Sequence, residues 1–188
     1  MKVALDLDST LADTLLTVFD ILDEPQYGYA DSIYWDWPIE EFGRDRFLNA
    51  AWHVWSIRRD DIQPSEPDLR AKTDALKAKC EQLDVVTAHP DHLDVVDHGK
   101  QQWLDEHGVC YDDYVSVEGA KHALDYDVYI DDNPKLVEAT NSYSSEVLLY
   151  DRPYNRDIDD ERAIRVQSIA DATRQLRTLL YPHTEVTY

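Results

Sequence analysis

Asp6 and Asp8 stand two residues apart just beyond the apolar run Val3-Ala4-Leu5, and a second acid pair, Asp131-Asp132, comes directly after Val128-Tyr129-Ile130. In the chain between them, Thr87 lies near the end of the apolar run from Leu83 to Ala88, and Lys121 comes shortly before Val128. Carboxylates gathered at one edge of a sheet repel each other, and burying them unpaired costs several kcal/mol. A hard divalent cation removes that cost, and magnesium is the expected ion because it takes oxygen ligands and shares its sphere with substrate phosphate. In such a site Asp6 can attack a phosphorus atom, while Asp8 protonates the departing oxygen and then takes a proton from the incoming water. Thr87 and Lys121 would hold the equatorial phosphoryl oxygens, with Lys121 and the metal balancing charge. An Asp-x-Asp pair alone arises readily among 28 aspartates. The ordered set of acid pair, Thr, Lys and second acid pair is the feature that points to metal-assisted phosphoryl transfer to water.

Those residues need strand ends to bring them together, and the chain supplies an alternating pattern. Val3–Leu5 predicts a short buried strand, and Ala12–Leu22 a helix with Leu15, Val18, Phe19 and Leu22 at helical spacing. Ser65 is the expected N-cap of a helix running through Leu69, Leu76 and Cys80. Further strands are expected at Leu83–Ala88, Tyr114–Val117, Val128–Ile130, Val147–Tyr150 and Ile164–Val166. Helices are expected from Pro90 to His107, stopped by Gly108, from Pro134 onward, and from Ser168, which caps a stripe of Ile169, Ala172, Leu176 and Leu179. Alternation of this kind predicts a parallel sheet with helices on both faces, where ligands sit beyond the carboxyl ends of the strands. The aromatic, proline-bearing stretch 25–67 reads as a small helical insertion into a core made of residues 1–24 and 68–188.

Composition narrows the partners. With 188 residues the chain suits one domain and an insertion. It carries 28 Asp, 11 Glu, 11 Arg and 7 Lys, a formal charge of −21, which argues against duplex nucleic acid. Twelve Tyr, five Trp and three Phe are too many for a disordered acidic tail. The Asp excess and Lys scarcity match a protein of a salt-saturated cytoplasm, where a Debye length of about 3 Å at 1 M salt removes self-repulsion. No apolar run approaches the roughly 18 residues of a membrane span, and Cys80 and Cys110 read as free thiols, so a cytoplasmic protein is expected. The five glycines allow neither a P-loop nor a G-x-G-x-x-G turn.

At these residues the chain resembles the haloacid dehalogenase (HAD) superfamily of phosphatases. The matches are VALDLDSTLAD at 3–13, VVTAHP at 85–90, Lys121, and VYIDDNP at 128–134, in the superfamily's order. The resemblance implies a Rossmann-like α/β core with a small helical cap inserted after the first strand and helix. It makes Asp6 the nucleophile and a magnesium ligand, and Asp8 the acid/base whose backbone carbonyl also ligates magnesium. Asp132 becomes the remaining protein ligand, with Asp131 supporting it or Lys121. Ser9, Thr10 and Ala88, beside the motif residues, join Thr87 and Lys121 as candidate phosphate contacts. More narrowly the chain is similar to the 5'(3')-deoxyribonucleotidase family, through LAD at 11–13, KQQWLDEHG at 100–108, LLYDRPYNR at 148–156 and IRVQSIADA at 164–172. It departs from the pattern at Ser9, where Gly is usual, at Thr14, where related nucleotidases often carry an aromatic, and in TAHP, where a small polar residue is typical after the Thr.

The insertion holds Tyr27, Tyr29, Tyr34, Trp35, Trp37, Phe42, Phe47, Trp52 and Trp55. Stacking on a nucleobase is worth about 1–3 kcal/mol, although Leu48, Trp52 and Trp55 at i, i+4, i+7 equally describe a helix face packed against the core. Trp35, Trp52, Thr14 and His89 are the candidate substrate contacts. His89 and His92 mimic a metal-ligand spacing but read as ordinary surface histidines, since oxygen donors account for the metal. Arg152 and Arg156 suit either a phosphate or ion pairs with Asp151 or Asp157. The expected activity is that of a magnesium-dependent 5'-nucleotidase acting on a small phosphomonoester, with a homodimer as the candidate assembly. The alternatives are a phosphatase for a nucleic-acid 3'-phosphate or small metabolite phosphate, and a non-catalytic binding module of the same fold.

Overall fold

The computed structural model describes residues 1–89, 93–140, 145–158, 160 and 163–180. Its strands are β1 (Lys2–Leu5), β2 (Gln82–His89), β3 (Tyr114–Glu118), β4 (Val128–Asp131), β5 (Glu146–Tyr150) and β6 (Ala163–Val166). All pair in parallel, in the order β3-β2-β1-β4-β5-β6. Parallel strands need crossovers that cover both faces, which is why β4 is buried throughout and β1 and β5 are buried at all but their first residue.

Seven helices lie among the described residues: α1 (Thr14–Ile21), α2 (Trp37–Phe42), α3 (Arg44–Ile57), α4 (Leu69–Lys77), α5 (Asp94–Glu106), α6 (Pro134–Ala139) and α7 (Ile169–Leu180). Successive strand side chains point to opposite faces, so Val3 and Leu5 join one core cluster and Ala4 the other. The larger cluster takes Val18 and Phe19 of α1, Leu76 of α4, Trp103 of α5 and Leu176 of α7. The smaller packs Tyr129 and Leu149 against Leu136 and Val137 of α6. No helix among the described residues is long and apolar enough to cross a membrane.

The chain leaves β1 toward β2 and β3 on one side, then returns to β4 on the other, so the strand order reverses at β1 and β4. A crevice opens beyond the carboxyl ends of strands at such a point. Above it lie α2 and α3, and α3 comes down onto α5 at one spot. A Cβ built on Gly99 would sit 2.1 Å from the Trp55 carbonyl oxygen, so only glycine admits this approach.

Several boundaries differ from the sequence expectation. Ser65 does not cap α4: its Oγ donates to the Thr10 carbonyl at 2.6 Å, and the helix starts after Asp68, whose φ of 59° is left-handed. Cys80 lies beyond α4, which ends at Lys77. The helix expected from Ala12 begins at Thr14, because Leu7–Ala12 forms a turn in which Leu11 and Ala12 both donate to the Leu7 carbonyl. The helix expected from Pro90 begins at Asp94 within the described residues, which exclude Pro90 and His92. Gly108, at φ 63°, terminates α5 as expected. Ser168 Oγ accepts from the Asp171 amide at 3.0 Å and caps α7. Both cysteines are free.

Candidate active site

Asp6 comes directly after the last residue of β1, Asp131 ends β4 and Asp132 is next in the chain, so adjacent parallel strands deliver three acids to one point. All three are buried, and one carboxylate oxygen from each lies within 4.8 Å of the others. The Asp6 amide donates to the Ile130 carbonyl at 2.9 Å, which carries the β1–β4 pairing up to the acids. Lys121, on a 3-10 turn after β3, places its Nζ between Asp6 and Asp131, hydrogen-bonded to the first and 2.8 Å from the second. The Tyr129 hydroxyl reaches the carbonyls of Lys121 and Leu124 at 3.0 and 2.8 Å and fixes that turn.

Electrostatics follow from the crowding. Burial, with the charges of Asp131 and Asp132, pushes the Asp6 carboxyl well above its ordinary range despite Lys121. Burial and Asp131 push Asp132 up to about 6. Burial opposes the Lys121 charge, but Asp131 and Asp6 outweigh it and hold the ammonium protonated above its usual range.

Asp8 points elsewhere. Its Oδ1 accepts from Thr14 Oγ1 at 2.9 Å and from Trp55 Nε1 at 2.8 Å, and its Oδ2 from Thr87 Oγ1 at 3.3 Å and from the Lys100 ammonium. Burial alone would raise its pKa, but Lys100 and His89 hold it well below the usual carboxylate range. Lys100 also donates to Thr87 Oγ1 at 2.7 Å. Ser9 is next, at φ 63°, the left-handed region where glycine is the ordinary occupant, and Arg152 Nε clasps its carbonyl at 2.7 Å.

These groups form the floor of a cavity of about 510 Å³ whose walls include Trp35, Phe47, Leu48 and Trp52. Ser9, Thr14, Thr87, Ala88 and His89 also face it. The structure therefore brings together every site residue expected from the sequence except Thr10. That side chain lies behind the acids and donates to Asp132 Oδ1 at 3.1 Å. Burial and the Lys100 charge lower His89 to about 4, so its ring is neutral. Arg156 pairs with Asp151 at 2.8 Å and Arg152 with Asp13 at 3.0 Å, so both arginines are in structural ion pairs.

Sequence reasoning passed over Lys100, Trp55 as a hydrogen-bond donor, and Tyr154. A signal for Lys100 existed: Val96, Lys100, Trp103 and Leu104 lie on one buried stripe of α5, and a lysine there must find a carboxylate or hydroxyl. Tyr154, whose hydroxyl donates to Asp132 Oδ2, sits in a loop with no periodicity to reveal it.

The donor set fits a hard divalent cation. Four carboxylates, Asp6, Asp8, Asp131 and Asp132, face two ammonium groups, Lys100 and Lys121, around the cavity floor. When all are ionised, the excess is the charge of one magnesium ion, and the three clustered acids offer only oxygen.

Residues 1–179 match the family described as 5' nucleotidase, deoxy (pyrimidine), cytosolic type C protein. No curated protein sequence matches the chain significantly. Three solved structures are similar in fold. An L-2-haloacid dehalogenase is 14% identical, with a TM-score of 0.52, over 93% of this chain and 98% of that one. The D,D-heptose 1,7-bisphosphate phosphatase from B. bronchiseptica, complexed with magnesium and phosphate, is 13% identical with a TM-score of 0.52, over 95% and 99%. A hydrolase from Pseudomonas syringae is 13% identical with a TM-score of 0.55, over 95% and 98%. The family match spans nearly the whole chain and includes both acid pairs, Thr87 and Lys121, so this protein belongs to the deoxy (pyrimidine), cytosolic type C 5' nucleotidases, on a HAD-superfamily fold.

Proposed function

We propose that this protein is a magnesium-dependent phosphatase that hydrolyses nucleoside and deoxynucleoside 5'-monophosphates through an aspartyl-phosphate on Asp6. One observation carries the reading: three clustered carboxylates and the Lys121 ammonium meet at the floor of a cavity walled by tryptophans. Asp6 and Asp132, with the Asp8 backbone carbonyl, would hold the metal, and Asp131 would support Lys121. Bound magnesium would offset the carboxylate and phosphoryl charges, so that an anionic nucleophile can meet an anionic substrate.

In the first half an Asp6 oxygen attacks phosphorus, the bond to the ester oxygen breaks, and Asp8, ionised at rest, relays to that oxygen a proton taken from the substrate. A monoester near its second pKa of about 6 brings the proton to the site as the monoanion. In the second half water attacks phosphorus, Asp8 takes its proton, and the bond to Asp6 breaks to release inorganic phosphate. The ionised Asp8 carboxylate, held by Lys100 and Trp55, suits this second half. Lys121, Thr87 and the backbone around Ala88 and Ser9 would carry the phosphoryl oxygens. Residues 25–67 would act as a cap that reads the nucleoside, with Trp35 and Trp52 against the base.

The test is phosphate release from a panel of monophosphates with magnesium in molar KCl, for wild type and Asp6→Asn. Turnover of nucleotides by wild type and silence in a folded variant are expected. Equal rates in the two proteins would remove Asp6 as nucleophile, and silence of both would leave a binding module. Preference for a 3'-phosphate end or a sugar phosphate would replace the substrate class.

A further inference from the structure

We infer that Tyr154 is a positioning residue for the metal, acting through Asp132, and that it ties the aromatic wall of the cavity to the cation site; this rests on the magnesium-dependent reading of the acid cluster. Asp132 is 2% exposed and stands just past the end of β4. Its terminal torsion is intrinsically broad, so a buried carboxylate there needs partners to face a cation in one orientation. The structure provides one on each oxygen: Thr10 Oγ1 at 3.1 Å on Oδ1, and the Tyr154 hydroxyl on Oδ2. A carboxylate oxygen accepts about two hydrogen bonds or ligands, so each keeps a lone pair for the ion it would share with Asp6.

The grip extends to the main chain. Asn155 Nδ2 donates to the Asp132 carbonyl at 2.8 Å and to the Tyr150 carbonyl at 2.9 Å, and Arg165 holds Asn155 Oδ1 at 2.8 Å. The turn Pro153–Asn155 thus fixes both the backbone and the carboxylate of Asp132. On its other side the Tyr154 ring meets Trp35 edge-on, with centroids 5.5 Å apart, and Tyr29 at 6.3 Å. A side chain that faces the cavity, donates to one acid of the cation cluster and packs on Trp35 of the aromatic wall joins that wall to the acids. Groups that orient a ligating carboxylate typically change metal affinity by about 10–100-fold when removed.

The experiment is calorimetric titration of Mg2+ and Mn2+ into full-length wild type and Tyr154→Phe, with unfolding temperatures of both in EDTA. Phenylalanine keeps the ring and its packing against Trp35, so the variant is expected to fold. Metal dissociation constants at least tenfold weaker are expected in the variant. A lowered metal-free unfolding temperature with dissociation constants within twofold of wild type would make Tyr154 merely structural and overturn the inference. If wild type itself binds neither ion, the magnesium reading fails instead, and the two failures are distinct.

Discussion

The Lys100 ammonium on α5 and the Asp8 carboxylate beyond β1 are hydrogen-bonded in the cavity wall, and Lys100 is 0% exposed. A buried ammonium is tolerated only with acceptors, and Asp8 and Thr87 both accept from it. Its charge does much to keep Asp8 ionised, against the effect of burial. Lys100→Met leaves that carboxylate without its cation. Breaking a buried pair costs about 3–5 kcal/mol, discounted here to about 1–3 because Asp8 opens onto the cavity. The variant is expected to fold with a lowered unfolding temperature and to lose about 100-fold in kcat. Wild-type turnover in a folded Lys100→Met protein would show that Asp8 works without the Lys100 charge.

Gly99→Ala tests the approach of α3 to α5. Its methyl meets the backbone oxygen of Trp55, which cannot move without shifting the helix that carries Trp52 and Trp55. Overpacking of this kind costs about 1–3 kcal/mol, or about 2–12 °C in unfolding temperature for a protein of this size. Thermal unfolding of the variant reads it, and an unchanged midpoint would show that α3 yields freely.

The acids at the ends of β1 and β4 were legible because parallel strands buried on both faces are short continuous apolar runs, and the residues just after such a run lie at the sheet edge. Thr87 is placed by its position near the end of the second apolar run, and Lys121 by its place shortly before the fourth. Ser65 misled because a serine shortly ahead of an apolar helical stripe reads locally as an N-cap, while the tie from Ser65 to Thr10 depends on a contact 55 residues away. Thr10 misled for a similar reason: it sits inside a phosphate-facing motif, yet its hydroxyl turns back to Asp132 across the sheet. Lys100 hid as one polar residue on a core stripe. Tyr154 hid in a short 3-10 turn whose ties to Asp132 and Trp35 are tertiary contacts that no local pattern announces.

The formal charge of −21 predicts salt-dependent stability. Like charges spread over a surface repel across about 10 Å at 0.1 M salt and about 3 Å at 1 M. The unfolding temperature is expected to rise by several degrees between 0.1 and 2 M KCl. A flat or falling midpoint would remove the reading of a high-salt cytoplasm.

Trp52→Ala separates base reading from phosphate binding. Trp52 is partly exposed and faces the cavity, and one lost stack is worth about 1–3 kcal/mol. KM for a nucleoside 5'-monophosphate is expected to rise about tenfold, with KM for ribose 5-phosphate within twofold of wild type. Equal changes for both substrates would make Trp52 part of the packing alone.

Magnesium bound as proposed would compete with protons for the acid cluster, and the sign of that competition is set by the shifts. Asp6 lies well above its ordinary carboxylate pKa and Asp132 at about 6, both chiefly through burial. A folded pKa above the unfolded value means that the folded state binds the extra proton. The stability from these groups is then fully present below about pH 4 and, without metal, lost as pH rises through 6 and above. A bound cation replaces the protons and restores that lost stability. The difference in unfolding temperature between saturating MgCl2 and EDTA is therefore expected to be near zero at pH 5 and to grow toward pH 8. In Asp132→Asn, where one acid of the cluster is gone, the difference at pH 8 should shrink. A magnesium increment that is the same at pH 5 and pH 8 would mean that the ion binds elsewhere than among Asp6, Asp131 and Asp132.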